Sequence, residues 1–178
     1  MRRLLAISGS LRAASSNMAL LQAARLLAQP QLEVELYEGL ASLPHFNPDL
    51  DSDAPPPSVS DFRTRIRAAD GLVISSPEYA RGVPGALKNA LDWLVSVEDF
   101  AGKPVALFNA SPRADHAQAA LRLTLETMAA RMIDEACLTL PLLSRPLDAA
   151  GIAADPALAR LLRDALAAFA RALESRPD

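Results

Sequence analysis

The sequence predicts an α/β fold in which helices cover both faces of a parallel sheet. Three observations support this. Short apolar segments and helix-length amphipathic segments alternate five times along the 178 residues. The apolar segments are typical of strands buried on both faces, and the connections are long enough for crossover helices. Since 51% of the residues are hydrophobic and 22% are charged, as in ordinary globular domains, we expect residues 1–178 to form one domain.

The elements are expected in a regular order. Strands are predicted over 4–7, 34–37, 71–75, 105–108 and 137–140, and helices from Ser15–Asn17, Ser60, Pro84, Ala117 and Pro156 onward. The fourth helix is expected to reach Met132, and the last to reach Leu173. Residues 38–58 are rich in Pro, Asp and Ser, and the run Pro55–Pro57 is expected to prevent regular structure there. This segment is therefore predicted to be a long surface loop.

Charge and composition exclude several classes of function. The net charge is −3 and no Lys/Arg run stands out, whereas a nucleic-acid groove needs a concentrated basic patch. Cys137 is the single cysteine, so no internal disulfide and no structural zinc site are expected, and a buried strand position is the simplest interpretation. The apolar run 4–7 is too short for a signal peptide or a membrane span. We expect a cytoplasmic protein without nucleic-acid or membrane partners.

The loop after the first strand, residues 8–17, is dense in hydrogen-bond donors. It carries four serines, Asn17 and Arg12, and it contains no carboxylate. Ligands of parallel sheets bind beyond the carboxyl ends of the strands, and a helix N-terminus favours an anion. The loop therefore indicates a phosphate site, although the serines would also serve as helix caps with Arg12 in solvent. Neither GxxxxGK[ST] nor GxGxxG is present, which excludes those two phosphate loops.

The segment after the third strand, residues 76–93, reads Ser-Pro-Glu-Tyr-Ala-Arg-Gly-Val-Pro-Gly-Ala-Leu-Lys-Asn-Ala-Leu-Asp-Trp. Pro77 and Gly82 shape a loop whose backbone can approach a flat ring, and Tyr79 adds apolar area and a hydroxyl. The opposing interpretation is that Leu87 and Trp93 belong to the core or to a subunit interface.

These two segments, in this order, resemble the NADPH-dependent FMN reductase family, which includes chromate, quinone and azo reductases. The resemblance implies a flavodoxin-like three-layer sandwich with a five-stranded parallel sheet of order 2-1-3-4-5. It also implies bound FMN and NADPH or NADH as hydride donor. The residues that it assigns to the FMN phosphate are Ser10, Arg12, Ser15 and Asn17, and those assigned to the isoalloxazine are Pro77, Glu78 and Tyr79, with Ser111 nearby.

The resemblance further implies hydride transfer from the nicotinamide to FMN and onward to a small-molecule quinone, flavin, azo or metal-oxyanion acceptor. It implies a homodimer or homotetramer, for which Trp93, Leu94 and Phe100 are candidate interface residues. Three alternatives remain from the sequence: a flavodoxin-like electron carrier, a non-enzymatic flavin-binding protein, and a subunit that supplies reduced flavin to an oxygenase.

The sequence departs from the family pattern at two places. Ala80 stands where many relatives have Asn. The loop 109–116 lacks the glycines that are frequent in relatives and carries Arg113 and His116 instead. Arg113 is expected either to meet a phosphate of an incoming nucleotide or to form a salt bridge. His116 is expected either to transfer protons or simply to open the fourth helix.

Overall fold

The computed structural model describes residues 1–145 and 147–175. The strands are β1 (Arg2–Ser8), β2 (Leu32–Tyr37), β3 (Gly71–Ser75), β4 (Pro104–Asn109), β5 (Arg131–Met132) and β6 (Leu138–Thr139). The helices are α1 (Ser16–Leu27), α2 (Pro57–Ala68), α3 (Gly85–Asp92), α4 (Asp115–Thr127), α5 (Ala149–Ala154) and α6 (Pro156–Glu174).

The strands form one parallel sheet of order β2-β1-β3-β4-β5. β5 pairs with the amino end of β4, and β6 pairs with its carboxyl end. This confirms the predicted sheet order and the flavodoxin-like class. The predicted last strand, 137–140, is only the two-residue β6 (Leu138–Thr139). The chain also pairs with β4 earlier, at Arg131–Met132, and makes a 3₁₀ turn between the two strands. Cys137 lies just before β6 and is partly buried.

Two apolar cores lie on opposite faces of the sheet. One contains Leu20 of α1, Ile152 of α5 and Leu162 of α6. The other contains Phe62 of α2 and the inward faces of α3 and α4. Strands between two such layers are shielded from water on both sides, which explains why β1, β3 and β4 are nearly continuous apolar runs.

Two predicted element boundaries are wrong for identifiable reasons. Helix α2 begins at Pro57, since a proline in the first helical turn loses no hydrogen bond; the stretch 38–58 also contains two 3₁₀ turns, Leu40–Ser42 and Pro48–Leu50. Helix α4 ends at Thr127 rather than Met132. Ala129 adopts a positive φ of 59°, which ends the helix and frees Arg131 to enter β5.

The segment between β2 and α2 is fixed to the body by polar groups of α2 and α3. Asn89 accepts a hydrogen bond from the N–H of Phe46 (2.7 Å) and donates to the carbonyl of Pro44 (2.9 Å). The indole N–H of Trp93 also donates to the Pro44 carbonyl (2.8 Å). Buried Arg63 of α2 donates to the Trp93 carbonyl and to the carboxylate of Asp51. The Lys-Asn-Ala-Leu-Asp-Trp part of the second motif thus anchors a loop.

Candidate functional site

A cavity of about 330 Å³ opens at the carboxyl edge of the sheet, between the loops that follow β1, β3 and β4. All eight residues assigned from the sequence line it: Ser10, Arg12, Ser15, Asn17, Pro77, Glu78, Tyr79 and Ser111. The switch in strand order between β1 and β3 places the cavity where ligands of open α/β sheets bind.

A second cavity, of about 540 Å³, lies at the opposite, amino edge of the sheet. Charged side chains that line it form ion pairs with one another, Arg2 with Asp70 and Arg67 with Asp99. Lys103 donates to the carbonyl of Ala69 (2.9 Å). The carboxyl-edge cavity is therefore the better candidate for a ligand.

The first wall is the loop from β1 into α1. Its shape is held by short-range hydrogen bonds: the N–H of Ser10 donates to Ser8 Oγ (3.2 Å), and the N–H of Arg12 donates to Ser10 Oγ (3.3 Å). Ser15 caps α1 by accepting from the N–H of Met18 (3.4 Å), so the capping role foreseen for the serines is present at this position. The first N–H groups of a helix have no acceptor within it, and those of α1 begin at this wall.

Asn17 has a fixed orientation at the base of the cavity. It is buried, and its Oδ1 accepts a hydrogen bond from Ser75 Oγ at the end of β3 (2.9 Å). Within residues 1–145 and 147–175 its Nδ2 group has no acceptor, so this amide presents a donor to the cavity that it lines.

Gly9 brings the first wall against the second. Its N–H donates to the carbonyl of Ser75 (2.8 Å). A Cβ at this position would lie 2.9 Å from Ser76 Oγ, 2.9 Å from Leu87 Cδ2 and 3.3 Å from Ser76 Cα. Only a glycine permits this separation without displacement of a neighbour.

The second wall is the loop after β3. Glu78 does not project freely into the cavity, because its carboxylate accepts a hydrogen bond from the N–H of Ala117 (2.9 Å) in the first turn of α4. This carboxylate satisfies an end group of the helix and lies at the positive end of its dipole. Glu78 therefore ties the loop after β3 to the loop after β4.

Tyr79 stands at the mouth of the cavity, with 54% of its surface exposed. Its hydroxyl lies 3.5 Å from Ser10 Oγ. Tyr79 and Gly82 exchange two backbone hydrogen bonds (3.1 and 3.0 Å) around Ala80 and Arg81, which both have positive φ, 49° and 59°. Asn tolerates a positive φ better than Ala does. Ala80, at a position where many relatives have Asn, therefore makes the backbone conformation of this turn less favourable.

The third wall is the loop between β4 and α4. The N–H of Ser111 donates to Asn109 Oδ1 (3.0 Å), and the N–H of Arg113 donates to Ser111 Oγ (3.1 Å). Arg113 lines the cavity, whereas His116 is exposed in the first turn of α4 and is not part of the lining. Of the two roles expected for His116, the structure thus favours that of a polar residue in the first turn of a helix over that of a proton-transfer group.

Several lining residues were not foreseen. Ser76 and Asn109 sit at strand ends, a position that could have identified them. Leu143 comes from the 3₁₀ turn after β6 and is 63% exposed. No local pattern signals its approach to a cavity whose other lining residues lie between Ser10 and Ala114. Conversely, the suggested interface residues Trp93, Leu94 and Phe100 are wrong, because each is at most 1% exposed and packs in the core of its own chain.

The described residues contain no group of three or more His, Cys, Asp or Glu side chains placed to hold a metal ion. Cys137 accepts a hydrogen bond from the N–H of Leu107 (3.4 Å), and burial raises the pKa of its thiol. Of the helices in the described parts of the chain, none is both long and apolar enough to cross a bilayer.

Comparison with known proteins agrees with this geometry. The family model of NADPH-dependent FMN reductases matches residues 2–142. The chain belongs to this family. It is 43% identical over 111 residues to an NAD(P)H-dependent FMN reductase of Pseudomonas aeruginosa, a match that covers 61% of this chain and 60% of that protein. It is 38% identical over 135 residues to a subunit of the NADH:(hydroxy)cinnamate reductase of Vibrio ruber, covering 72% of this chain and 66% of that protein. In both cases the match spans less than two thirds of the relative.

A solved structure resembles this FMN reductase family member over nearly its whole length. The flavoenzyme NAD(P)H:(acceptor) oxidoreductase FerB from Paracoccus denitrificans superposes with a TM-score of 0.80 at 31% identity, covering 98% of both chains. The likeness includes the C-terminal helices, which lie beyond the region matched by the family model.

Proposed function

We propose that this protein is an FMN-dependent NAD(P)H oxidoreductase that passes reducing equivalents to a small-molecule acceptor of the quinone, flavin, azo or metal-oxyanion class. The observation that carries the proposal is that eight residues, assigned from two separate motifs and a third loop, line a single cavity at the switch point of the sheet. Membership of the NADPH-dependent FMN reductase family supports it.

The chemistry of the first wall fits the phosphate end of FMN. Ser10, Arg12, Ser15 and Asn17 offer hydroxyl, guanidinium and amide donors, and the N-terminus of α1 adds backbone N–H groups. No carboxylate is present in residues 8–17 to repel an anion. Such donors at a helix N-terminus are suited to a phosphate. We assign the FMN phosphate to these four residues.

The second and third walls suit the ring. Pro77 and Tyr79 provide apolar surface, Glu78 holds its loop against α4, and Ser111 offers a hydroxyl from the other side. FMN, when bound, supplies the hydride-accepting chemistry, and the protein supplies binding, orientation and electrostatics. The exposed phenol of Tyr79 marks the side from which a nicotinamide and then an acceptor would enter.

Removal of Arg12 tests the phosphate assignment. Since a charge-assisted hydrogen bond is worth about 1.5–3 kcal/mol, Arg12→Ala should raise the FMN dissociation constant by about tenfold to a hundredfold. Fluorescence quenching of FMN on titration with apoprotein measures this directly. Wild-type affinity in the variant would show that the assignment is wrong.

Turnover distinguishes an enzyme from an electron carrier. We expect the FMN-loaded protein to oxidise NADPH or NADH continuously in the presence of a quinone. Stable FMN binding without NAD(P)H oxidation would indicate a flavodoxin-like carrier instead. Such carriers are usually strongly acidic for docking to basic partners, and a net charge of −3 favours the enzyme.

We also infer that the protein acts in the cytoplasm as a homodimer or homotetramer. Trp93, Leu94 and Phe100 are buried within their own chain, so we infer that another surface forms the contact. Leu11 and Leu143, which are 57% and 63% exposed, are large apolar side chains on loops beside the cavity, and they are the better candidates for contact with another subunit.

A further inference from the structure

Arg113 is an arginine of the cavity that the FMN assignment leaves without a role. Its backbone is held by Ser111, which is itself held by Asn109, so the loop presents the side chain from a fixed point. Within residues 1–145 and 147–175, Arg113 forms no salt bridge. The salt-bridge alternative considered from the sequence is therefore not observed in the described chain.

The sheet topology separates Arg113 from the phosphate end. β3 lies between β1 and β4, and neighbouring strands are about 4.8 Å apart, so the loops after β1 and β4 start about 10 Å from each other. Arg12 belongs to the first of these loops and Arg113 to the second. The loops that carry the two arginines thus start at different places along the edge of the sheet, and Arg113 shares its loop with Ser111, which we assign to the ring.

The charge at the ring end is unbalanced. Glu78 is the only carboxylate among the described residues that line the cavity, and it is hydrogen-bonded to the N–H of Ala117 at the positive end of α4. Arg113 is exposed and retains all its side-chain donors. A guanidinium in this state is suited to bidentate binding of a phosphate, carboxylate or sulfonate.

We propose that Arg113 is a specificity-determining residue that binds an anionic group of the molecule reacting at the flavin. That group is either the pyrophosphate of the nicotinamide dinucleotide or an acid substituent of the electron acceptor. The inference rests on the proposed function, because it requires FMN in the cavity and a second substrate at its mouth. It predicts that this protein discriminates between charged and neutral substrates through the loop 109–116.

The test compares FMN-loaded wild type, Arg113→Gln and the matched control Arg171→Gln. Arg171 is exposed in the last turn of α6. That end of the helix is at the amino edge of the sheet, where Arg131 of β5 donates to the carbonyl of Ala172 (3.1 Å). The control removes the same charge far from the cavity. The acceptors are a naphthoquinone and the sulfonate of the same naphthoquinone, and the donors are NADH and NADPH.

If the acceptor carries the anion, Arg113→Gln lowers the ratio of kcat/KM for the sulfonated over the neutral quinone by about tenfold, the effect of losing one charge-assisted hydrogen bond. If the dinucleotide carries it, the KM for NADH and that for NADPH rise together by about this factor. Calorimetric titration with the sulfonated quinone or with NADP⁺, in the absence of turnover, should show the same increase in dissociation constant. Arg171→Gln should behave as wild type.

Unchanged ratios, KM values and dissociation constants in Arg113→Gln would overturn the inference. In that case continued NADPH oxidation by the wild type would leave the proposed function intact. A wild type that binds no FMN would instead remove the proposed function, and this inference with it. Equal changes in Arg171→Gln and Arg113→Gln would show a long-range effect of net charge, which also overturns a direct contact.

Discussion

Gly9→Ala is the substitution for which the structure gives the sharpest expectation at the site. The added methyl group would lie 2.9 Å from Ser76 Oγ and from Leu87 Cδ2, and 3.3 Å from Ser76 Cα. Leu87 is fully buried, and Ser76 Oγ donates to the carbonyl of Pro77 (3.0 Å), so neither side chain can move freely. The backbone of the loop after β3 must shift away from the loop after β1.

Overpacking of this kind costs about 1–3 kcal/mol. For a protein of this size, each kcal/mol corresponds to about 2–4 °C in Tm, so Gly9→Ala should melt about 2–12 °C below wild type. The shift also separates the phosphate wall from the ring wall. Loss of one good hydrogen bond to FMN would raise its dissociation constant about tenfold.

Gly85→Ala is the matched control. No atom lies within 4 Å of a Cβ built on Gly85, which begins α3, and Ala is favoured over Gly in helices by about 1 kcal/mol at most. Its Tm should equal or exceed that of wild type, with unchanged FMN affinity. Thermal unfolding and FMN titration measure both quantities. A Gly9→Ala protein with wild-type Tm and affinity, or a Gly85→Ala protein equally impaired, would show that Gly9 is not required for the close approach of the two loops.

Three further predictions concern the supporting structure. Arg63→Ala removes hydrogen bonds to the Trp93 carbonyl (2.9 and 2.7 Å) and to the Asp51 carboxylate (2.8 Å) at a buried position, and should lower the free energy of unfolding by about 3 kcal/mol. The control Arg67→Ala, one turn along α2 in an exposed ion pair, should lower it by less than about 1 kcal/mol. Equal losses for the two variants in chemical denaturation would contradict this prediction. The hydrogen bond from Arg63 lowers the pKa of Asp51. The stabilisation by this pair is therefore present above the unfolded pKa of Asp, about 4, and is lost as pH falls through the folded pKa. The stability of Arg63→Ala should accordingly fall less on acidification than that of wild type. Burial, with Asp61 nearby, raises the pKa of Tyr37 to about 12. The stabilising contribution of the neutral phenol is complete below about pH 10 and is lost between about pH 10 and about pH 12. An ultraviolet difference titration of Tyr37→Phe against wild type should assign a phenol titrating near pH 12 to this residue, and an ordinary tyrosine pKa would contradict this prediction.

The fold could be predicted from the sequence because each buried strand is a short apolar run bounded by residues that interrupt it. The bounds of β3 were predicted without error, since Gly71 opens the run and Ser75 closes it. The end of α4 was not, because the apolar pattern continues past Thr127 and the chain turns at Ala129 without a glycine. Helix α5 was also missed, since its six residues are too few to show a period.

The candidate site was accessible for a different reason. In a parallel sheet, residues that follow strand ends meet at one edge, so Ser10 and Tyr79 are brought together although 69 positions separate them. Contacts that depend on side-chain direction were beyond sequence reasoning. The capping of α4 by Glu78 and the approach of Leu143 both depend on how the loops pack in three dimensions.

The most direct test of the proposed function is an absorbance spectrum of the purified protein reconstituted with FMN, recorded anaerobically before and after addition of NADPH. Visible flavin absorbance is expected to stay with the protein through gel filtration and to bleach when NADPH is added. Absence of bound flavin would contradict the assignment of the cavity. Bound flavin that NADPH or NADH does not bleach would contradict the proposed reductase activity.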